Sequence, residues 1–120
     1  MNDNGLYDDF RNSLLLLLQV IDQINGMDFD VYNNRRTRLL VRSLKTLENN
    51  NPDDIVPVSD EIMKTIYRWY DGGFKNHSKD EVEKQDVAIA NVYKAATQYL
   101  AKYGDEHQRQ KAIDYLKQLL

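Results

Sequence analysis

The chain has 120 residues, a formal net charge of −3 at pH 7 and no cysteine. The lack of cysteine excludes disulfides, a thiolate nucleophile and cysteine-ligated zinc, and it fits a reducing compartment, so we expect a cytoplasmic protein. The length predicts a single domain over residues 1–120, which can bury about two-thirds of its unfolded surface without a metal or a disulfide.

The N-terminal residues predict neither export nor membrane insertion. Asp3, Asp8 and Asp9 stand where a signal peptide would carry basic residues. The leucine run at 14–18 is followed closely by Asp22, and it is far shorter than the ~20 apolar residues of a membrane span. We interpret the run as the centre of a fully buried helix, with a partner-binding helix as the alternative.

Hydrophobic periodicity predicts helices along the whole chain, and no segment alternates for long enough to form a strand. The expected fold is all-α: an antiparallel four-helix bundle with a short fifth C-terminal helix. In chain order, the predicted bounds are Leu6–Asn25, Asn34–Glu48, Ser59–Gly72, Ser78–Tyr103 and Asp105–Leu120. Acidic and basic segments alternate, so such a bundle would set oppositely charged helices side by side.

Three of the helix starts are predicted from capping residues. Ser59 precedes two acidic residues, Ser78 opens a Ser-Lys-Asp-Glu capping box, and Asp105 is followed by Gln108 at the same spacing. The polar segment 49–54 contains a proline, which cannot continue a helix. We therefore interpret it as a linker between the second and third helices.

Residue patterns for catalysis or metal binding are weak. His77 and His107 each lack a second histidine or a glutamate at metal-ligand spacing. Asp28 and Asp30 resemble the opening of a calcium loop, but Asn33 stands where that loop requires glycine. Neither N-cap serine lies in a nucleophile elbow. We therefore predict a non-enzymatic protein that holds no metal and no cofactor.

A basic stripe marks the second predicted helix. Arg35, Arg38, Arg42 and Lys45 recur at helical spacing and occupy one sector of about 80°, apart from the leucines of the same helix. Such a stripe can bind an acidic protein partner, or it can pair internally with the acidic faces of the first or third helix. Together with Arg36, it could also contact successive phosphates of a nucleic acid.

A second candidate surface is aromatic. Tyr67, Arg68 and Tyr70 surround Trp69 on the third predicted helix, where consecutive aromatic residues cannot all point inward. Tyrosine, tryptophan and arginine are enriched at binding hot spots, whereas ordinary core packing is the alternative.

These two surfaces predict a small protein-binding module, such as an adaptor, an inhibitor or an immunity-type regulator. The partner-binding residues would be Arg35, Arg38, Arg42, Lys45, Tyr67, Arg68 and Tyr70. The alternative is a nucleic-acid-binding accessory protein that uses the basic stripe. The leucine-rich first helix and the apolar end of the fifth would also allow a homodimer. We expect no membrane partner.

Overall fold

The structure is a computed structural model that describes residues 4–25, 35–49, 52–65 and 79–119. Within these residues the chain is almost entirely helical and has no strand, which confirms the all-α class. Their helices are α1 (Asn4–Asn25), α2 (Arg35–Glu48), α3 (Pro52–Thr65), α4 (Lys79–Tyr103) and α5 (Glu106–Leu119).

The long helix α4 is the centre of the packing. It contacts α1, α3 and α5, while α2 contacts α1 and α3. The main core contains fully buried side chains from α1 to α4, among them Phe10, Leu14, Leu17, Ile21, Leu40, Leu47, Ile55, Ile62 and Ile89. A smaller cluster of Met63, Leu100 and Ala112 joins α3, α4 and α5, so the end of α3 lies beside the end of α4.

Two polar contacts locate the two ends of α1 beside neighbouring helices. The Tyr7 hydroxyl donates to the Leu47 carbonyl over 2.5 Å, so the start of α1 lies beside the end of α2. The Lys84 ammonium donates to Gln23 Oε1 over 2.9 Å, so the end of α1 lies beside the start of α4. The start of α1 therefore lies at the end of α2, and the end of α1 lies at the start of α4.

Helix α3 begins at Pro52, so the prediction that it begins at Ser59 is wrong. Proline is well suited to the first turn of a helix, where the backbone N–H that it lacks would have no partner in the helix. Asp53 and Asp54 follow in that turn, where negative charge is favourable. The segment interpreted as a linker is therefore a helix start.

Burial explains why the helix continues past a second proline. Pro57 lies inside α3 and is exposed, while Ile55 and Val58 are buried against the other helices. Ser59 is fully buried, and its hydroxyl donates to the Ile55 carbonyl over 2.8 Å, one turn earlier. Ser59 is thus an interior helix residue, because tertiary packing outweighs the local preference of proline.

The leucine-rich part of α1 is not buried on all sides. Leu14 and Leu17 are fully buried, but Leu16 is 46% exposed, and Leu15 and Leu18 are half-buried. The prediction of a fully buried centre is therefore wrong at Leu16, which lies on the opposite side of the helix from Leu14.

The start of α5 confirms the predicted capping box. The Gln108 N–H donates to Asp105 Oδ1 over 2.8 Å, and the Asp105 N–H donates to Gln108 Oε1 over 2.9 Å. Gly104 precedes the box, and a Cβ there would lie 2.8 Å from the Leu100 carbonyl oxygen. A glycine is therefore required for the close approach of α4 and α5. The predicted cap Ser78 and the predicted helix end at Gly72 lie outside the described residues.

Replacing Asp105 with alanine is expected to lower the free energy of unfolding by about 1 kcal/mol, since a first-turn N–H of α5 loses its acceptor. Urea unfolding followed by circular dichroism measures the change. The control is Asp114→Ala, an exposed aspartate later in the same helix. Equal losses in the two variants would contradict a specific role for the cap.

Candidate binding face on the second helix

Three of the predicted cations stand together on the exposed side of α2. Arg38, Arg42 and Lys45 are exposed, and with the half-buried Val41 they line a surface depression of about 310 Å³. We call these four residues the basic face. Leu40 and Leu47, on the other side of the helix, are fully buried and hold it against the core.

The remaining predicted site residues are not placed by the structure. Helix α2 begins at Arg35, but the side chains of Arg35 and Arg36 lie outside the described part of the chain. Tyr67, Arg68 and Tyr70 also fall outside the described residues. The geometry of the candidate site therefore rests on the basic face alone.

Arg42 of the basic face pairs within the protein. Arg42 Nη2 lies 2.7 Å from Glu61 Oε2 on α3, so α2 has an acidic neighbour there. The two side chains are 59% and 49% exposed. Exposed ion pairs contribute at most about 1 kcal/mol, so water or a partner's carboxylate can replace Glu61 at little cost.

Asp60, the residue before Glu61 on α3, already pairs within its own helix. Asp60 Oδ2 lies 2.8 Å from Lys64 Nζ, one turn later on the same helix. The pKa of Lys64 is raised because Asp60 accepts a hydrogen bond from its ammonium group and attracts its charge, and Asp105 adds to the attraction. The negative charge of Asp60 is therefore balanced on α3 and does not neutralise the basic face.

The exposed side of α1 carries the opposite charge. Asp8, Asp9 and Asp22 are all exposed, and the exposed Leu16 lies between them along the helix. Asp8, Asp9 and Leu16 lie within one sector of about 100° around the helix, and we call these three residues the acidic face; Asp22 lies outside it. Sequence reasoning missed it because it assigned Leu16 to the core. The sequence contains a pattern that indicates the acidic face, because Leu16 interrupts an otherwise polar sector of α1.

A second depression lies at the start of α5. Asp105, Glu106, His107 and Gln110 line a shallow depression of about 540 Å³ at the start of α5, which is open to solvent. The part of the chain that the structure describes contains no group of three histidine, cysteine or carboxylate side chains placed to hold a metal ion. His77 lies outside that part.

Comparison with protein-family models, curated proteins and solved structures gives no match for this chain. Of the helices that the structure describes, none is both long enough and apolar enough to cross a bilayer. The function is therefore inferred from the chemistry of the two charged faces.

Proposed function

We propose that the protein is a small, non-enzymatic, cytoplasmic protein-binding module of the adaptor, inhibitor or immunity type. The basic face would be its binding surface. The observation that carries the proposal is the grouping of three exposed cations around an open depression with Val41 at its edge. An acidic partner with one apolar side chain would match both the charge and the depression.

We expect the charges of the basic face to add little to the stability of the fold. All three cations are exposed, and the Arg42–Glu61 pair stands in solvent-exposed surroundings, where its stabilising effect is small. Long side chains that add little to stability but share one face are typical of a surface used in recognition. Arginine in particular is enriched at such surfaces.

A protein partner is favoured over nucleic acid by the charge around the basic face. The chain has a net charge of −3, and the neighbouring helix α1 exposes Asp8 and Asp9. These carboxylates would repel a phosphate backbone that extends beyond α2. The basic face itself holds no aromatic side chain on which a base could stack.

The proposed frame for this surface is an antiparallel four-helix bundle, α1 to α4, with α5 as the short fifth helix. Two contacts of α1 support this arrangement, because its start lies beside the end of α2 and its end lies beside the start of α4. The cluster of Met63 and Leu100 places the end of α3 beside the end of α4, and a strictly antiparallel order of these two helices does not account for it. A rigid frame would present the basic face without reorganisation on binding.

Affinity capture from the native host's lysate tests the proposal, with three forms of the protein as bait. These are the unchanged chain, Arg38→Glu with Lys45→Glu, and the control Lys94→Glu with Lys117→Glu. Both pairs of substitutions reverse two exposed cations, so the net charge changes equally. Quantitative mass spectrometry, with and without nuclease, identifies what each bait retains.

We expect a protein that is retained by the unchanged chain and by the control, is lost with the basic-face variant, and is insensitive to nuclease. Nucleic acid that is lost with the same variant and released by moderate salt would instead establish the alternative function. A partner retained equally by all three baits would contradict the role of the basic face. Tyr67, Arg68 and Tyr70 remain the predicted residues of a second surface that contacts the partner.

A further inference from the structure

We propose that the outer surface shared by α1 and α4 binds a second copy of this chain in a two-fold symmetric dimer. The inference goes beyond the proposed function, because it concerns a different surface and a different partner. Its basis is that uncharged stretches of these two helices lie side by side at the surface, next to an end that is acidic along α1 and basic along α4.

Two contacts determine how α1 and α4 are aligned. Gln23 accepts a hydrogen bond from the Lys84 ammonium over 2.9 Å, and the ring centroid of Phe10 lies 6.1 Å from that of Tyr99. The contacts are 13 residues apart on α1 and 15 residues apart on α4, so they agree to within two residues, or about 3 Å along the helices. Rising residue numbers on α1 therefore correspond to falling numbers on α4.

The side of α1 that carries Leu16 lies next to α4 and faces solvent. Gln23 and Lys84 meet on the exposed side of both helices. Leu16 is seven residues from Gln23, and Asn91 is seven residues from Lys84, toward the same end of the pair. Because seven residues make almost two full turns, Leu16 and Asn91 lie on the same sides of their helices as this contact. The two exposed residues are therefore level with each other on one outer surface.

We call this surface the α1–α4 face, and its centre has no charge. On each helix its exposed side chains share a sector of at most about 80°; they are Asp9, Leu16 and Gln19 on α1, and Val87, Asn91 and Lys102 on α4. Residues 12–21 of α1 and 87–93 of α4 contain no charged side chain, although 29% of the chain is charged. Leu16 is 46% exposed and Val87 is 61% exposed. Depletion of charge is typical of the centre of an interface.

Opposite charges lie beyond this uncharged centre, at one end of the face. Asp9 lies two turns before Leu16 on α1, and Lys102 lies three turns after Asn91 on α4. The alignment of the helices places both charges at the end of the face where α1 begins, within about 6 Å of one level. That end of the face is therefore acidic along α1 and basic along α4.

This surface is complementary to itself under one rotation. A two-fold axis in the contact plane, parallel to the helices, places α1 of the second copy over α4 of the first, and α4 over α1, in a closed contact. Every residue keeps its level along the helices. Leu16 of the second copy therefore lies over Asn91, one turn from Val87. Asp9 of the second copy lies over the turn before Lys102, so each acidic end meets a basic end.

The size of the face suits a stable dimer. Helix α1 has 22 residues and is therefore about 33 Å long, and two neighbouring helices are about 20 Å wide. A contact of that outline buries on the order of 650 Å² on each copy, or about 1,300 Å² in total, which is within the range of specific interfaces.

The contact leaves the basic face of each copy open. Helix α2 packs on α1 through Tyr7 and Arg11, which lie on the other side of α1 from Leu16. The dimer therefore presents two basic faces, and the proposed function does not depend on this inference.

Sedimentation equilibrium of the full chain tests the dimer. The chain has a mass of 14.1 kDa, and we expect twice that mass at high concentration. Leu16→Glu and Val87→Glu should each raise the dimer dissociation constant about tenfold or more, because each buries a carboxylate at the centre of the contact. The control is Ile113→Glu, since Ile113 is 37% exposed on α5, outside the α1–α4 face. Circular dichroism checks that each variant keeps the helix content of the unchanged chain.

A charge exchange makes the test specific. Asp9→Lys sets a lysine against Lys102 of the second copy, and Lys102→Glu sets a glutamate against Asp9. Each variant alone should dimerise about fivefold more weakly than the unchanged chain, since each repulsion occurs twice in the dimer. An equimolar mixture should form a heterodimer, because opposite charges then meet at both ends. This rescue also shows that both variants are folded.

Three results would overturn the dimer. The first is an unchanged chain that stays monomeric at high concentration. The second is a dimer that Leu16→Glu and Val87→Glu weaken no more than the control does. The third is a monomer that captures a different protein through Leu16, since the occupant of the face is then not a second copy. If a monomeric chain captures a protein through Arg38 and Lys45, this inference fails and the proposed function stands.

Discussion

Replacing Phe10 with alanine is expected to lower the free energy of unfolding by about 3–5 kcal/mol, the range for removing a fully buried aromatic ring. Phe10 is 0% exposed, and its ring centroid lies 6.1 Å from that of Tyr99 on α4. The substitution therefore opens a cavity between α1 and the central helix of the fold. Urea unfolding monitored by circular dichroism gives the loss directly.

The matched control on the same helix is Leu16→Ala. Leu16 is 46% exposed and lies on the outer side of α1, so its truncation should cost less than about 1 kcal/mol. Similar losses for Phe10→Ala and Leu16→Ala would contradict the orientation assigned to α1.

The second large effect is expected at Ile55, where sequence and structure disagree. Ile55→Ala should lower the free energy of unfolding by about 2–5 kcal/mol, because Ile55 is 1% exposed in the core that joins α1 to α4. A side chain in a solvated linker would give almost no change. The denaturation midpoint therefore distinguishes a helix that begins at Pro52 from one that begins at Ser59.

Asp54→Ala is the control for this substitution, since Asp54 is exposed one residue earlier in the same turn. This control should lower the free energy of unfolding by roughly 0.3–1 kcal/mol, because Asp54 interacts favourably with the helix dipole. If Ile55→Ala lowers the free energy of unfolding no more than Asp54→Ala does, the first turn of α3 does not pack against the core.

Local patterns predicted much of the fold. The all-α class follows from hydrophobic spacing, and the start of α5 follows from Asp105 and Gln108, whose reciprocal hydrogen bonds involve only neighbouring residues. The start of α3 was missed because Pro52 was interpreted as unable to continue a helix. The burial of Ile55, which outweighs that tendency, depends on helices distant in sequence.

The candidate site was also predicted only in part. The helical spacing of Arg38, Arg42 and Lys45 predicted that they share a face, and they line one depression. The pairing of Arg42 with Glu61 was foreseen only as a general alternative, because the partner depends on how α2 and α3 cross. The exposure of Leu16 was not foreseen, because a leucine run does not reveal which of its sides lacks a neighbouring helix.

The central claim is that the cations of the basic face serve recognition and not the stability of the fold. The most direct measurement is the free energy of unfolding of the Arg38→Glu, Lys45→Glu variant, compared with the Lys94→Glu, Lys117→Glu control. Because all four side chains are exposed, we expect the two variants to agree within about 0.5 kcal/mol. A loss of about 2 kcal/mol or more, confined to the basic-face variant, would show that these cations hold the helices together and would contradict the claim.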